Sequence, residues 1–285
     1  MFSDFISLLK PRILVMQFVS FSLGYGMAMP FSHLLLAPFL WGLAGTALIS
    51  GGAASLNHSL EWQWDAKMTR TRNRPVPTRR ISPLLAAGFG AVLIVAGLAI
   101  LIVGVNGLTA FLGGLTAFLY VAVYTPSKRW HWINTYIGTL PGAILPLGGW
   151  VAATGSLERD AIWMALVLLV WQLPHFFAIA WMYREDYELA GFKMVSAQDP
   201  LGDRTVFHMK LSTWLLAVAG VLPYAAGLCG PVFAICSVLL SIWLLRDVRS
   251  FSQDRTYMKA KRVLKTSVYY LPLFLLAIGI DRWLG

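Results

Sequence analysis

Nine long apolar stretches constrain this chain more than any other feature of its sequence. A helix needs about 17–25 apolar residues to cross a bilayer. Backbone groups in lipid must be satisfied within the segment, so each stretch predicts a membrane-spanning helix. The predicted spans are Ile13–Met29, Leu34–Ala54, Pro83–Val103, Leu108–Tyr124, Thr135–Ala153, Ala161–Trp181, Leu211–Leu228, Val232–Leu245 and Val268–Leu284. With 58% hydrophobic residues and only 13% charged ones, the sequence predicts one all-α, polytopic membrane domain over residues 1–285.

The positive charges predict how these spans are oriented. All 23 Lys and Arg residues except Arg159 and Arg282 either precede the first span or follow the second, fourth, sixth or eighth. The positive-inside rule therefore places the N-terminus in the cytoplasm and the C-terminus outside. It also accounts for the net charge of +10, so no nucleic-acid partner is predicted. No transit-peptide composition is visible, which favours the inner membrane of a bacterial cell.

A ladder of oxygen-bearing side chains follows the second span. Asn57, Glu61 and Asp65 are spaced by four residues, and successive members of such a series rotate by only about 40° around a helix. One amide and two carboxylates on one face suit Mg²⁺, which takes few protein oxygens and adds phosphate oxygens. The alternative is a solvated helix end followed by ordinary topogenic arginines.

Cations and a second acidic group accompany the ladder. Lys67, Arg70 and Arg74 come directly after it and are suited to bind phosphate oxygens. After the sixth span, the stretch YREDYELAG contains Arg184 and Asp186. Asp186 could supply a second carboxylate facing the first cluster, although this stretch alone reads equally well as a charged loop.

Two further motifs carry polar groups near span ends. In YTPSKR, Tyr124 and Lys128 are four residues apart, but Pro126 argues against a regular helix. The same motif could be a bare stop-transfer signal. In WQLPHF, His175 lies at membrane depth beside Pro174, where a polar group is costly. It could contact a cofactor or bond to a neighbouring helix, and Pro174 predicts a kink.

These stretches together resemble the intramembrane prenyltransferases of the UbiA type, in particular their haem branch. The carrying motifs are LKPR, the ladder with DAKMTRTRNRPVP, YTPSKR, NTYIGTLPGAILPLGGWVAATG, WQLPHF and YREDYELAG. The resemblance implies nine helices around a central cavity, with the active site near the cytoplasmic face. It implies transfer of a farnesyl group from farnesyl diphosphate to a vinyl group of haem B, with Mg²⁺ as cofactor.

The resemblance also implies roles for individual residues. Mg²⁺ would be held by Asn57, Glu61, Asp65 and Asp186. The diphosphate would be bound by Lys67, Arg70, Arg74, Tyr124, Lys128 and Arg184. His175 would contact haem, and a haem A synthase or terminal-oxidase assembly protein would be a partner. The chain departs from the family pattern at Glu61, where Asp is usual, and at Ala190, where other branches have a second carboxylate.

Three alternatives remain open on the sequence. A prenyltransferase could act on a quinone precursor instead, although WQLPHF argues against that acceptor. A secondary transporter would place charged sites near the bilayer midplane, whereas these carboxylates follow span ends. A non-catalytic haem-binding protein would not require the ladder.

Overall fold

The computed structural model describes residues 2–28, 33 and 35–284, with side chains through residue 281, and these residues are almost entirely α-helical. The helices are α1 (Phe2–Leu8), α2 (Pro11–Met27), α3 (Leu36–Asp65), α4 (Pro83–Gly104), α5 (Gly107–Phe118), α6 (Thr125–Ser127), α7 (Asn134–Ile137), α8 (Thr139–Thr154), α9 (Arg159–Met182), α10 (Arg184–Ala190), α11 (Asp203–Ala219), α12 (Leu222–Ala225), α13 (Pro231–Gln253) and α14 (Tyr257–Leu284). A π-helical segment, Leu119–Tyr124, joins α5 to α6.

The helices confirm the predicted polytopic architecture. Within the described ranges, eight segments are long and apolar enough to cross a membrane, and α1 with α2, bent by 44°, makes a ninth. The orientation of the termini stays a prediction. The predicted span ends Met29 and Leu34 lie outside the described residues.

Several helices continue beyond the predicted apolar spans. α3 runs eleven residues past Ala54 to Asp65, α14 begins at Tyr257 rather than Val268, and α13 extends to Gln253. The predicted spans mark where apolar sequence stops, whereas i to i−4 backbone bonds continue these helices into polar sequence. At 30 residues, α3 is about 45 Å long.

The helix before Pro126 is irregular, as the sequence predicts. Proline lacks an N–H and its ring collides with the carbonyl four residues earlier, and the chain passes into the π form over Leu119–Tyr124. The hydroxyl of Thr125 donates to the Tyr120 carbonyl at 2.8 Å, which satisfies an acceptor in this irregular stretch. The helical path therefore continues to Ser127.

The chain divides into two compact units, and the prediction of a single domain stays a prediction. The first unit comprises Met1–Leu157 and Glu185–Lys193. In it α3 packs along α4, and α2 along α8. A Cβ on Gly52 would lie 2.5 Å from the carbonyl oxygen of Gly90, so only small residues permit this close approach of α3 and α4.

The second unit comprises Glu158–Arg184 and Met194–Gly285. In it α9 packs against α11 and α14, and α13 pairs with α14. The indole N–H of Trp171 donates to the Ser267 carbonyl at 2.8 Å, which ties α9 to α14. Asp281 accepts hydrogen bonds from the backbone N–H groups of Gly230 and Phe233 at the start of α13.

Candidate active site

The ladder residues lie in the last three turns of α3, which confirms the predicted helical spacing. Asn57 is 2% exposed, Glu61 6% and Asp65 1%. A solvated helix end would leave such side chains in water, so their burial argues against the interpretation of this stretch as a solvated helix end. Burying carboxylates is costly unless each has a partner.

Two lysines from different parts of the first unit reach the ladder. Lys10 Nζ donates to Asn57 Oδ1 at 2.8 Å. Lys128 Nζ lies 2.9 Å from Glu61 Oε1 and 3.1 Å from Oε2. Burial lowers the pKa of the Lys128 ammonium, but the Glu61 carboxylate together with Tyr124 and Tyr120 raises it by more, so that this pKa lies above its ordinary value.

An arginine completes the series at the end of α3. Arg74 Nη1 lies 2.9 Å from Asp65 Oδ2, and the hydroxyl of Thr71 donates to the Asp65 carbonyl at 2.8 Å. The loop after α3 therefore folds back on the helix that it leaves. Each of the three ladder side chains thus contacts a different lysine or arginine, and these three basic residues come from separate segments of the chain.

Tyrosines of the irregular segment surround these lysines. Lys10 Nζ lies 3.2 Å from Tyr120 Oη, and Lys128 Nζ lies 4.6 Å from the centre of the Tyr124 ring. The two rings are 5.8 Å apart. The π-helical segment therefore places two phenol groups beside the lysines, where each can bond to an anion or face a cation.

Asp186 meets the loop that follows α3. Its Oδ1 accepts from the backbone N–H of Thr69 at 2.8 Å, and its Oδ2 from that of Arg70 at 3.1 Å. Asp186 therefore contacts the backbone of the loop that follows α3, and its predicted role as a second carboxylate facing the ladder stays a prediction. Lys67 and Arg70 have exposed side chains, unlike the half-buried Arg74.

The remaining predicted site residues belong to the second unit. The Arg184 guanidinium lies 4.5 Å from the centre of the Trp181 ring and donates to the Trp181 carbonyl at 3.3 Å. His175 Nδ1 lies 2.9 Å from Ser267 Oγ. α9 runs continuously through Pro174 from Arg159 to Met182.

Ser267 positions the ring of His175. The Ser267 hydroxyl lies 2.7 Å from the Leu264 carbonyl and 2.9 Å from His175 Nδ1, so it can accept from Nδ1–H while it donates to that carbonyl. In that tautomer Nε2 is the unprotonated ring nitrogen, with a lone pair available to a ligand.

The sequence did not single out three residues of the first unit that surround the ladder. Lys10 was noted only as part of LKPR, and neither Tyr120 nor His58 was assigned a role. Lys10 has φ 51° and ψ 61°, a left-handed conformation that is rare for lysine. Its position before Pro11 indicates a break in the helix, but no local sequence pattern indicates a contact with Asn57.

Known proteins match this chain along almost its whole length. It is 40% identical over 281 residues to a protohaem IX farnesyltransferase of Salinibacter ruber, with 99% of each chain covered. It is 37% identical over 287 residues to one of Solibacter usitatus, with 98% of each covered.

Solved structures share the fold. A digeranylgeranylglyceryl phosphate synthase superposes with a TM-score of 0.79 at 16% identity, covering 99% of this chain and 98% of that one. A UbiA homologue of Archaeoglobus fulgidus, bound to GPP and Mg²⁺, gives a TM-score of 0.72 at 12% identity, with 97% and 99% covered. The model of the UbiA prenyltransferase family matches residues 18–274, and the chain belongs to that family.

Proposed function

We propose that this prenyltransferase moves the farnesyl group of farnesyl diphosphate to a vinyl group of haem B, giving haem O. The relatives named protohaem IX farnesyltransferase, at 37–40% identity, support the donor and the acceptor. The observation that carries the proposal is the buried row of Asn57, Glu61 and Asp65. Their side chains contact Lys10, Lys128 and Arg74, respectively.

The side-chain oxygens of Asn57, Glu61 and Asp65 fit a divalent ion bound with a diphosphate. They belong to one amide and two carboxylates, all buried, and Mg²⁺ binds oxygen ligands of this kind. Within the described residues, no three His, Cys, Asp or Glu side chains already converge on one point. A site of this kind is completed by substrate oxygens, and bound Mg²⁺ would neutralise charge on the diphosphate.

The cations of the first unit suit the leaving group. When the allylic C–O bond breaks, negative charge develops on the diphosphate and positive charge on the farnesyl chain. Lys10, Lys128 and Arg74 are held in place before reaction, and preorganised cations stabilise developing charge at little reorganisation cost. Tyr124 can hydrogen-bond to the same phosphate oxygens, and Lys67 and Arg70 would attract the diphosphate from water.

The electrons of the vinyl group then form the new C–C bond to the farnesyl carbon. The positive charge passes to the other vinyl carbon, where water adds and releases one proton, leaving a hydroxyethylfarnesyl group. Aromatic rings such as those of Tyr120 and Tyr124 can stabilise the allylic cation through their faces. A water-poor pocket delays the reaction of the allylic cation with water.

Asp186 is proposed to organise the loop that carries Arg74. Its two carboxylate oxygens fix the N–H groups of Thr69 and Arg70, and each oxygen keeps a lone pair for a second metal ion.

His175 is proposed to contact haem through Nε2, the ring nitrogen that does not contact Ser267. Arg184, held over Trp181, is proposed as a further diphosphate cation. A haem A synthase or a terminal-oxidase assembly protein would receive the product. The bacterial relatives support an inner-membrane location. The basic loops support placing the N-terminus and the active site on the cytoplasmic side and the C-terminus outside.

The test uses purified full-length protein in detergent with haem B, farnesyl diphosphate and Mg²⁺, and haems are analysed by mass. A haem that gains one farnesyl group and one water is expected. This modified haem should not form when a chelator is added or when the Asp65→Asn variant is used. It should form with the Asp254→Asn variant, a control at an exposed aspartate. Folded protein that binds haem but leaves it unmodified would contradict the acceptor, and quinone precursors would be tested next.

A further inference from the structure

One buried side chain of the first unit has no role in the proposed chemistry. His58 follows Asn57 on α3 and is 2% exposed, and among the residues that the structure describes neither of its ring nitrogens has a hydrogen-bond partner. Leaving a buried polar group unsatisfied costs about 1–3 kcal/mol, and buried polar groups in proteins are rarely left so. A ligand bound to a ring nitrogen of His58 would remove this cost.

The nearest charged group identifies the kind of ligand. His58 Nδ1 lies 3.9 Å from Asp65 Oδ2, which is too far for a hydrogen bond. The two residues are seven apart, so they differ by only about 20° around the helix and share one face. An ion bonded to a histidine nitrogen and a carboxylate oxygen lies about 2.0–2.2 Å from each. A gap of 3.9 Å can accommodate it with small side-chain movements.

We propose that His58 gives a ring nitrogen to the divalent ion bound by Asp65, which makes the site a mixed nitrogen–oxygen site. This inference rests on the proposed function, because the ion and the diphosphate belong to that reaction. The diphosphate supplies the negative charge that lets an ion enter beside Arg74, the present partner of Asp65. The ion in turn gives one of the two His58 ring nitrogens a bonding partner.

The ligand set has a consequence for metal choice. Oxygen-only sites suit Mg²⁺, whereas imidazole favours transition metals. The site should therefore prefer Mn²⁺ to Mg²⁺ by more than an oxygen-only site would. Replacing His58 with Asn should remove most of that preference, with a loss of Mn²⁺ affinity of about tenfold or more and a smaller loss for Mg²⁺.

The experiment uses Mn²⁺ because its unpaired electrons report on bonded nitrogen. Full-length protein is loaded with Mn²⁺ and inorganic diphosphate, and the electron spin-echo envelope modulation is recorded. A ¹⁴N coupling of directly bound imidazole is expected in the unsubstituted protein. It should be lost in both His58→Asn and His58→Gln, and kept in His131→Asn, a control at an exposed histidine.

The outcomes separate this inference from the proposed function. Bound Mn²⁺ without ¹⁴N coupling in the unsubstituted protein overturns the role of His58, whether or not the variants fold, and leaves farnesyl transfer to its own assay. A coupling that persists in both His58 variants also overturns it, because another histidine is then the ligand. Failure to bind Mn²⁺ at all overturns the inference together with the metal site.

Discussion

Lys10 Nζ lies 2.8 Å from Asn57 Oδ1, although the two residues are 47 positions apart in the chain. The contact joins the break between α1 and α2 to the start of the ladder on α3. Because the same ammonium lies 3.2 Å from Tyr120 Oη, Lys10 connects three segments of the first unit at one point. This relationship makes Lys10 a part of the proposed diphosphate site.

Lys10→Met is expected to reduce kcat/KM for farnesyl diphosphate by about tenfold to a hundredfold. A hydrogen bond to a charged group contributes about 1.5–3 kcal/mol, and methionine keeps the length of the side chain without its charge. The measurement is steady-state kinetics with haem B held constant. Arg12→Met is the control, since Arg12 is a nearby exposed cation, and equal losses in both variants would show that only the general charge matters.

Glu61→Gln is expected to destabilise the protein as well as to inactivate it. The change leaves the Lys128 ammonium, 13% exposed, without its carboxylate, and removing one member of a buried pair costs about 3–5 kcal/mol. The double variant Glu61→Gln with Lys128→Met should recover much of the melting temperature while remaining inactive. A double variant no more stable than the single one would show that the two residues are not coupled.

Asp186→Asn is expected to loosen the loop that follows α3. Hydrogen exchange of the amides of Thr69 and Arg70 should accelerate, because Asp186 accepts from both, and turnover should fall with it. Glu188→Gln provides the matched control, an exposed acid on the same short helix. Lost turnover with unchanged exchange would assign Asp186 to the metal rather than to the loop.

Ser267→Ala is expected to weaken haem binding in the second unit. Alanine removes the hydroxyl that lies 2.9 Å from His175 Nδ1, so the ring is no longer held in one orientation. Loss of such a supporting bond typically lowers affinity about tenfold to a hundredfold at metal centres. Haem titration followed in the Soret band measures it. Ser252→Ala, a change near the end of α13, should leave the titration unaltered, and an unshifted Ser267→Ala curve would remove His175 from the haem site.

The sequence predicted the spans and the ladder because both depend on local periodicity. Apolar runs and four-residue spacing are readable along a single helix, so the positions of Asn57, Glu61 and Asp65 on α3 could be inferred directly. Lys128 and Arg74 were predicted to bind phosphate, and the structure places both against ladder carboxylates.

Other features depend on packing between distant segments and could not be read from the sequence. The approach of Lys10 to Asn57 requires the left-handed backbone at Lys10 and the position of α1 against α3. Asp186 was expected at a metal, and its two hydrogen bonds to loop amides became visible only when α10 was placed. The lack of a hydrogen-bond partner for His58 among the described residues could not be predicted either, because it depends on every group packed around the ring.

The length of α3 determines where the two products of the proposed reaction go. A hydrocarbon layer about 30 Å thick covers about twenty helical residues, and α3 has 30. With the cytoplasmic active site proposed above, its last ten residues, which include the whole ladder, would lie at the level of the lipid headgroups. Diphosphate released there dissolves in water, whereas a haem with a farnesyl tail partitions into lipid. The products are thus removed into separate phases, which opposes the reverse reaction without any contribution from the protein's affinity for either one.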